Sequence, residues 1–161
     1  MTASKASEVL SRGTIRGKDG ALVINTTVEE LVNVARELKE LGYTHVVSIT
    51  AIDYPQENKI VLVVHASLYE ASDDRPKVVE IRTELNRESP VAPTLTGVWP
   101  SAEFQEREAY DHFGIVFDGH PDLRRVLLLE EDFKGVYPLR KDFVVPEEGI
   151  EYKEGWGELR G

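Results

Sequence analysis

The stretch YTHVVSITAIDYPQENKIVLVVHASLY, Tyr43–Tyr69, decides the fold of this chain. Its first part alternates, with Tyr43, His45, Val47, Ile49 and Ala51 on one side, which predicts a strand with one covered face. From Lys59 onward nearly every residue is apolar, the pattern of a central strand covered on both faces or nearly so. The linker YPQENK (Tyr54–Lys59) has turn chemistry, so the two strands read as an antiparallel hairpin. Working outward, KVVEIRTEL (Lys77–Leu85) sets Val79, Ile81, Thr83 and Leu85 against Glu80 and Arg82, which predicts a third strand after the turn-rich EASDDRP. Upstream, Val28, Leu31, Val32, Ala35, Leu38 and Leu41 recur at helical spacing. Thr26 and Glu29 fit a capping box at the start of that helix, and Gly42 fits a left-handed stop at its end. ALVIN (Ala21–Asn25) reads as a short strand, and residues 4–11 as a short helix ended by Gly13. The expected fold is α+β: a helix layer on a mainly antiparallel sheet of about four strands.

Beyond the meander, ESPVAPTLTGVWPSAE (Glu88–Glu103) is rich in proline and turn residues and breaks the strand pattern. A charged helix is predicted from an N-cap at Ser101 to Phe113, stopped by Gly114. The remainder, with Gly119, Pro121, Gly135, Pro138 and Pro146, predicts an irregular C-terminal segment that wraps a partner or the domain itself. Residues 1–145 are expected to form one domain, and 146–161 an acidic tail.

With 161 residues the chain can bury a sizeable core, and its net charge of −10 argues against nucleic-acid binding, which needs a basic stripe. The same charge opposes docking on an anionic lipid surface. There is no cysteine, which removes disulfides, thiolate nucleophiles and cysteine-ligated iron–sulfur clusters from this chain. The N-terminus lacks an apolar signal core and no run approaches the length of a membrane span. Glutamate, lysine and arginine outnumber asparagine, glutamine and methionine, the compositional trend of hot-adapted proteins.

The chemistry concentrates in EREAYDHFGIVFDGHPDLRRVLL, Glu106–Leu128. Glu103 and Arg107, Arg107 and Asp111, and Glu108 and His112 are helix neighbours four residues apart, so the simplest reading is a solvated face laced with ion pairs. A metal site would need convergent histidines and carboxylates, but His112 and His120 are parted by a glycine and a turn, and His45 and His65 fall in predicted strands. A stand-alone acid/base enzyme using Glu108, Asp111 and His120 is a rival, without a nucleophile constellation or phosphate loop to accompany it. Arg124, Arg125 and Arg140 beside the apolar run Val126–Leu129 describe a joint better than a pocket. Glu106, Glu108, Asp111, Asp122 and Asp142 can satisfy those arginines within the chain or across the joint.

This block, followed by GVYPLRKDF (Gly135–Phe143), resembles the signature of the 30 kDa subunit of respiratory complex I, the C-type subunit of the NADH–quinone oxidoreductases. Its relatives include subunits of membrane-bound energy-converting hydrogenases and other ferredoxin-linked complexes. The resemblance is densest from Trp99 to Phe143 and looser over the upstream helix and meander, including SITAIDYP. It implies a non-catalytic, cofactor-free subunit of a peripheral arm on the cytoplasmic side of the membrane. The implied partners are a hydrogenase-large-subunit-like, 49 kDa-type subunit and a small iron–sulfur subunit. Iron–sulfur clusters, and in hydrogenase-type relatives a [NiFe] centre, would sit on those partners. Carried over by position, the motif residues are Glu106, Arg107, Glu108, Asp111, Gly114, Gly119, His120, Pro121, Asp122, Leu123, Arg124, Arg125, Pro138, Leu139, Arg140, Lys141 and Asp142. The resemblance implies that they fix the C-terminal segment and the joint, with no catalytic role and no metal. His112 stands where the family usually has an apolar residue, GVYPL is one residue long for the motif, and the chain stops soon after it. Shortness and composition tilt the expectation towards a ferredoxin-linked, hydrogenase-type complex over an NADH-linked one.

Overall fold

A computed structural model of the chain describes residues 8–15, 20–69 and 74–145. The N-terminal part of the expected first helix, most of the GKDG turn, part of the EASDDRP linker and the acidic tail lie outside them. Residues 8–11 form a helical turn. They precede β1 (Thr14–Ile15), β2 (Leu22–Thr26), α1 (Leu31–Glu40), β3 (His45–Tyr54), β4 (Lys59–Ser67) and β5 (Val78–Asn86). These strands make one sheet in the order β1-β2-β5-β4-β3. Four strands are substantial, and β1 adds a two-residue edge.

The hairpin and meander are present: β3 with β4 and β4 with β5 are antiparallel. The surprise is β2, which pairs parallel to β5. Two sign reversals then make β2 and β3 co-directional, so α1 is a crossover between opposite sides of the sheet, and the hairpin β4–β5 fills the gap. Leu31, Val34, Ala35 and Leu38 of α1 form a single core with Ile24, Ile49, Ile60, Leu62, Val64, Ile81 and Leu85 of the sheet. Each such fully buried valine, leucine or isoleucine side chain stabilises the fold by about 1.5–3 kcal/mol.

Two local expectations need correction. In β3 the inward residues are Val46, Ile49, Ala51 and Asp53, whereas His45 and Val47 face out. A register irregularity between Val46 and Ser48 is the reason, because a bulge shifts the phase of every side chain before it. At the start of α1, Thr26 is still strand, and it is Thr27 whose hydroxyl accepts a hydrogen bond from the Glu30 N–H, at 3.4 Å. The Glu29 carboxyl is held below its ordinary value by its own backbone N–H and by the Thr27 hydroxyl. The Gly42 stop is as expected, with φ +98°.

Within the proline-rich stretch, β6 (Val91–Pro93) pairs in parallel with β7 (Val116–Asp118), a small second sheet in a region expected to be irregular. Between them runs α2 (Ala102–Phe113). Ser101 stands at its N-cap, but its side chain makes no capping bond. α2 lies against β3, the strand at the sheet edge: Gln105 Nε2 donates to Val46 O at 3.4 Å. The indole of fully buried Trp99 donates to Tyr43 O at 2.9 Å, which ties the start of α2 to the end of α1. A single turn, α3 (Glu130–Phe133), interrupts the C-terminal segment.

Candidate functional site

The charged helix is not a solvated face. Glu106, Arg107 and Asp111 are buried, and each faces the segments that wrap around α2 rather than its neighbours along the helix. Asp111 is the hub. One carboxylate oxygen accepts the backbone N–H groups of Val126, Leu127 and Leu128 at 3.1, 2.7 and 3.0 Å. The other accepts Arg125 Nη1 at 2.8 Å. Burial pushes this carboxyl up, but the bonds from Leu127, Arg125, Leu128 and Val126 outweigh it and hold the group below its ordinary value. The Arg125 side chain is itself buried, and also donates to the carbonyls of Asp111, Phe133 and Val136 and to Glu130. So Arg125, which the sequence left free to pair inside the chain or across a joint, is an internal staple.

A second buried carboxylate, Glu106, accepts the Thr94 hydroxyl and the Leu95 N–H, both at 2.6 Å. The His120 side chain is buried beside it: Nε2 lies 3.0 Å from Glu103 O, and Nδ1 accepts the Asp122 N–H at 3.0 Å. Arg107 donates to the carbonyl of Arg124 at 3.1 Å and lies 3.8 Å from Asp122. Leu123 packs on the core, so the GHPDL turn is clamped to α2 from both sides.

Burial, the largest influence on Glu106, raises its carboxyl above the ordinary glutamate value. A raised folded value contributes stability that is complete below the unfolded value and is lost as pH rises through the folded one. Asp53 and Asp111 have lowered values, so their stability is present above the ordinary aspartate range and lost as pH falls through their folded values. Urea midpoints measured across pH should therefore fall at both ends, and Glu106→Gln should abolish only the loss on the high side of the glutamate range. A variant whose high-side profile matches the wild type would contradict this assignment.

The third knot was not foreseen. Asp53 on β3 is buried and pairs bidentately with Arg87, at 2.7 and 3.0 Å. The same carboxylate accepts the Lys141 N–H at 2.9 Å, and Arg87 reaches Asp142 at 2.8 Å. The Arg87 hydrogen bond is the main reason that the Asp53 carboxyl stays below its ordinary value. Nearby, the Arg125 and Arg140 guanidiniums lie over the Tyr137 ring, 5.6 and 4.8 Å from its centroid. Arg140 also donates to Phe113 O at 2.8 Å. The ring lies so close to Gly114 that a Cβ there would come within 2.6 Å of it. Gly114 has φ +75°, so both backbone and packing require glycine at this helix end. Pro138 and Leu139 follow, and the Leu139 N–H donates to His112 O at 3.2 Å.

Residues 120–142 are thus pinned to α2 and β3 at Arg107, Asp111 and Asp53. What the pinning presents outward is apolar: Leu127 and Leu129 are 61% and 64% exposed, Leu139, Val144 and Val145 are also exposed, and Arg124 stands beside them at 74%. Pro121, Lys141 and Asp142 are exposed too. Glu108, Asp111 and His120 are not brought together as an acid/base set. Glu108 is exposed on a cleft beside β3, while the polar atoms of Asp111 and His120 are engaged as described. Among the described residues, no group of three or more His, Cys, Asp or Glu side chains is placed to hold a metal ion.

A family profile described as respiratory-chain NADH dehydrogenase, 30 Kd subunit, matches residues 24–149. The C-type subunit of the NADH-quinone oxidoreductase of Moorella thermoacetica is 42% identical over 134 residues, 81% of this chain and 84% of that protein. Its counterpart in the NADH-quinone oxidoreductase of Chlorobium phaeobacteroides is 39% identical over 70% of this chain and 64% of its own length. The J-type subunit of the chloroplastic NAD(P)H-quinone oxidoreductase of Lemna minor is 41% identical over 65% of each. These last two matches span slightly less than two thirds of the relative. Among solved structures, a trypsin-resistant fragment of Nqo5 superposes with a TM-score of 0.62 at 30% identity, over 76% of this chain and 100% of that one. A chain of an archaeal membrane-bound sulfane sulfur reductase superposes with a TM-score of 0.73 over 95% of both chains, and at 23% identity shares the fold.

Proposed function

The chain belongs to the 30 kDa subunit family of the respiratory-chain NADH dehydrogenase, and from that premise we propose that it is a non-catalytic scaffold of a peripheral arm. It joins a hydrogenase-large-subunit-like partner to the small iron–sulfur subunit of the same membrane oxidoreductase. The redox cofactors sit on those partners. One observation carries the reading: an irregular segment is fastened to the domain by two buried carboxylates, Asp111 and Asp53, yet holds Leu127 and Leu129 out in solvent. Fixing exposed leucines in this way leaves apolar surface unburied in the free chain, which suits a surface that a partner covers. Contact with the membrane is assigned to the partners, on the cytoplasmic side, and no described helix is long and apolar enough to cross a membrane.

The names of the relatives at 39–42% identity favour a quinone-linked complex over the hydrogenase type towards which the sequence tilted. The sulfane sulfur reductase neighbour, matching 95% of both chains, keeps the second type as the alternative reading.

The test is assembly. Leu127→Ser combined with Leu129→Ser leaves the backbone bonds to Asp111 in place and removes only exposed apolar surface. The double variant should fold with the wild-type melting temperature and fail to co-purify the large partner. Arg124→Ala, at a highly exposed guanidinium bonded to Asp122, should weaken capture by a smaller factor. Wild-type capture by the double variant, or turnover by the isolated chain, would overturn the proposal.

A further inference from the structure

A cleft of about 360 Å³ opens between β3 and one face of α2. Val47 and Leu139 flank it, and both are more than half exposed. Gln105, Glu108 and His112 line it from the helix. At positions i, i+3 and i+7 they share one face over two turns. Two of these side chains hold a buried polar atom with no hydrogen-bond partner among the described residues: Gln105 Oε1 and His112 Nδ1. The Gln105 amide cannot be reversed to remedy this, because Nε2 donates to Val46 O, and turning it would set two carbonyl oxygens together. Its bond to Val46 is long, at 3.4 Å, so the amide can tilt towards a donor at little cost. Glu108 adds an exposed carboxylate between the two.

We propose that this cleft receives an arginine side chain of the partner subunit. The inference deepens the assembly reading and rests on it. An orphaned amide oxygen beside an exposed carboxylate asks for a donor, and a chain of net charge −10 favours one that is cationic. Gln105 and Glu108 stand one helical turn apart, a span that the planar five-donor guanidinium bridges better than a compact ammonium. Val47 and Leu139 suit the methylene stem of such a side chain. With the amide tilted, an arginine there gives the Gln105 oxygen the donor that the described residues do not offer.

The experiment uses the complex captured through a tag on this chain and treated with phenylglyoxal, which modifies accessible arginines. In the wild-type complex one partner arginine should be protected. In a Gln105→Leu, Glu108→Gln double variant that arginine should react, and the partner should dissociate roughly tenfold faster. Glu108→Lys, at an exposed position that does not threaten folding, should do the same by like-charge repulsion. If wild-type chain captures no partner, the assembly reading fails and this inference with it. If it captures the partner and all variants hold it equally, with no arginine protected, this inference alone is overturned. A stoichiometric zinc or nickel ion on the purified chain, lost in His112→Ala, overturns it too.

Discussion

Replacing Asp111 by alanine is expected to cost about 3–5 kcal/mol, the usual penalty for removing one partner of a buried ion pair. The reason is what stays behind. Arg125 is buried and would lose its anionic partner, while the backbone N–H groups of Val126, Leu127 and Leu128 would lose their shared acceptor. Stability of a domain this size is usually about 5–15 kcal/mol, so the variant should be close to unfolding. Equilibrium urea unfolding checks it, and Asp111→Asn should fall between the two, since an amide keeps the shape but turns a donor towards bound N–H groups. A loss below about 1 kcal/mol, within the range of an ordinary surface change, would show that the clamp is not the hub described.

The second large effect is at Asp53. Asp53→Ala should cost about 2–4 kcal/mol, less than at Asp111 because Asp142 remains to neutralise Arg87. It should also have a local signature. With the Lys141 N–H released, the segment around Arg140 loses its tie to β3, and trypsin should cut there in the variant while sparing the wild type. Unchanged trypsin resistance would mean that the Tyr137 stack and the Arg140 bond to Phe113 hold the segment without Asp53.

The elements that the sequence disclosed are those whose information is local. The apolar stripe of α1 and the hairpin of β3 and β4 follow from periods of 3.6 and 2 within a few residues. The parallel pairing of β2 with β5 could not be read this way, since register between strands 57 residues apart leaves no local period. The bulge after Val46 defeated the inward assignment of His45 and Val47, because one irregular residue inverts an alternation. The charges of α2 read as a solvated face because helical spacing is blind to a wrapped segment that arrives later in the chain. One signal for the missed knot was available: Asp53 shares the side of Ile49 and Ala51, and a carboxylate on a covered face needs a cation such as Arg87.

The role assigned to residues 120–142 depends on their being a rigid platform with an outward apolar face, and hydrogen–deuterium exchange tests both parts at once. In the free chain, the amides of Val126, Leu127, Leu128 and Lys141 should already be protected, because each donates to a buried carboxylate. In the assembled complex, additional protection should appear around Leu129, Leu139 and the exposed residues Val144 and Val145. Rapid exchange at residues 126–128 in the free chain, or assembly that protects the β1 edge while leaving 129–145 unchanged, would contradict the account.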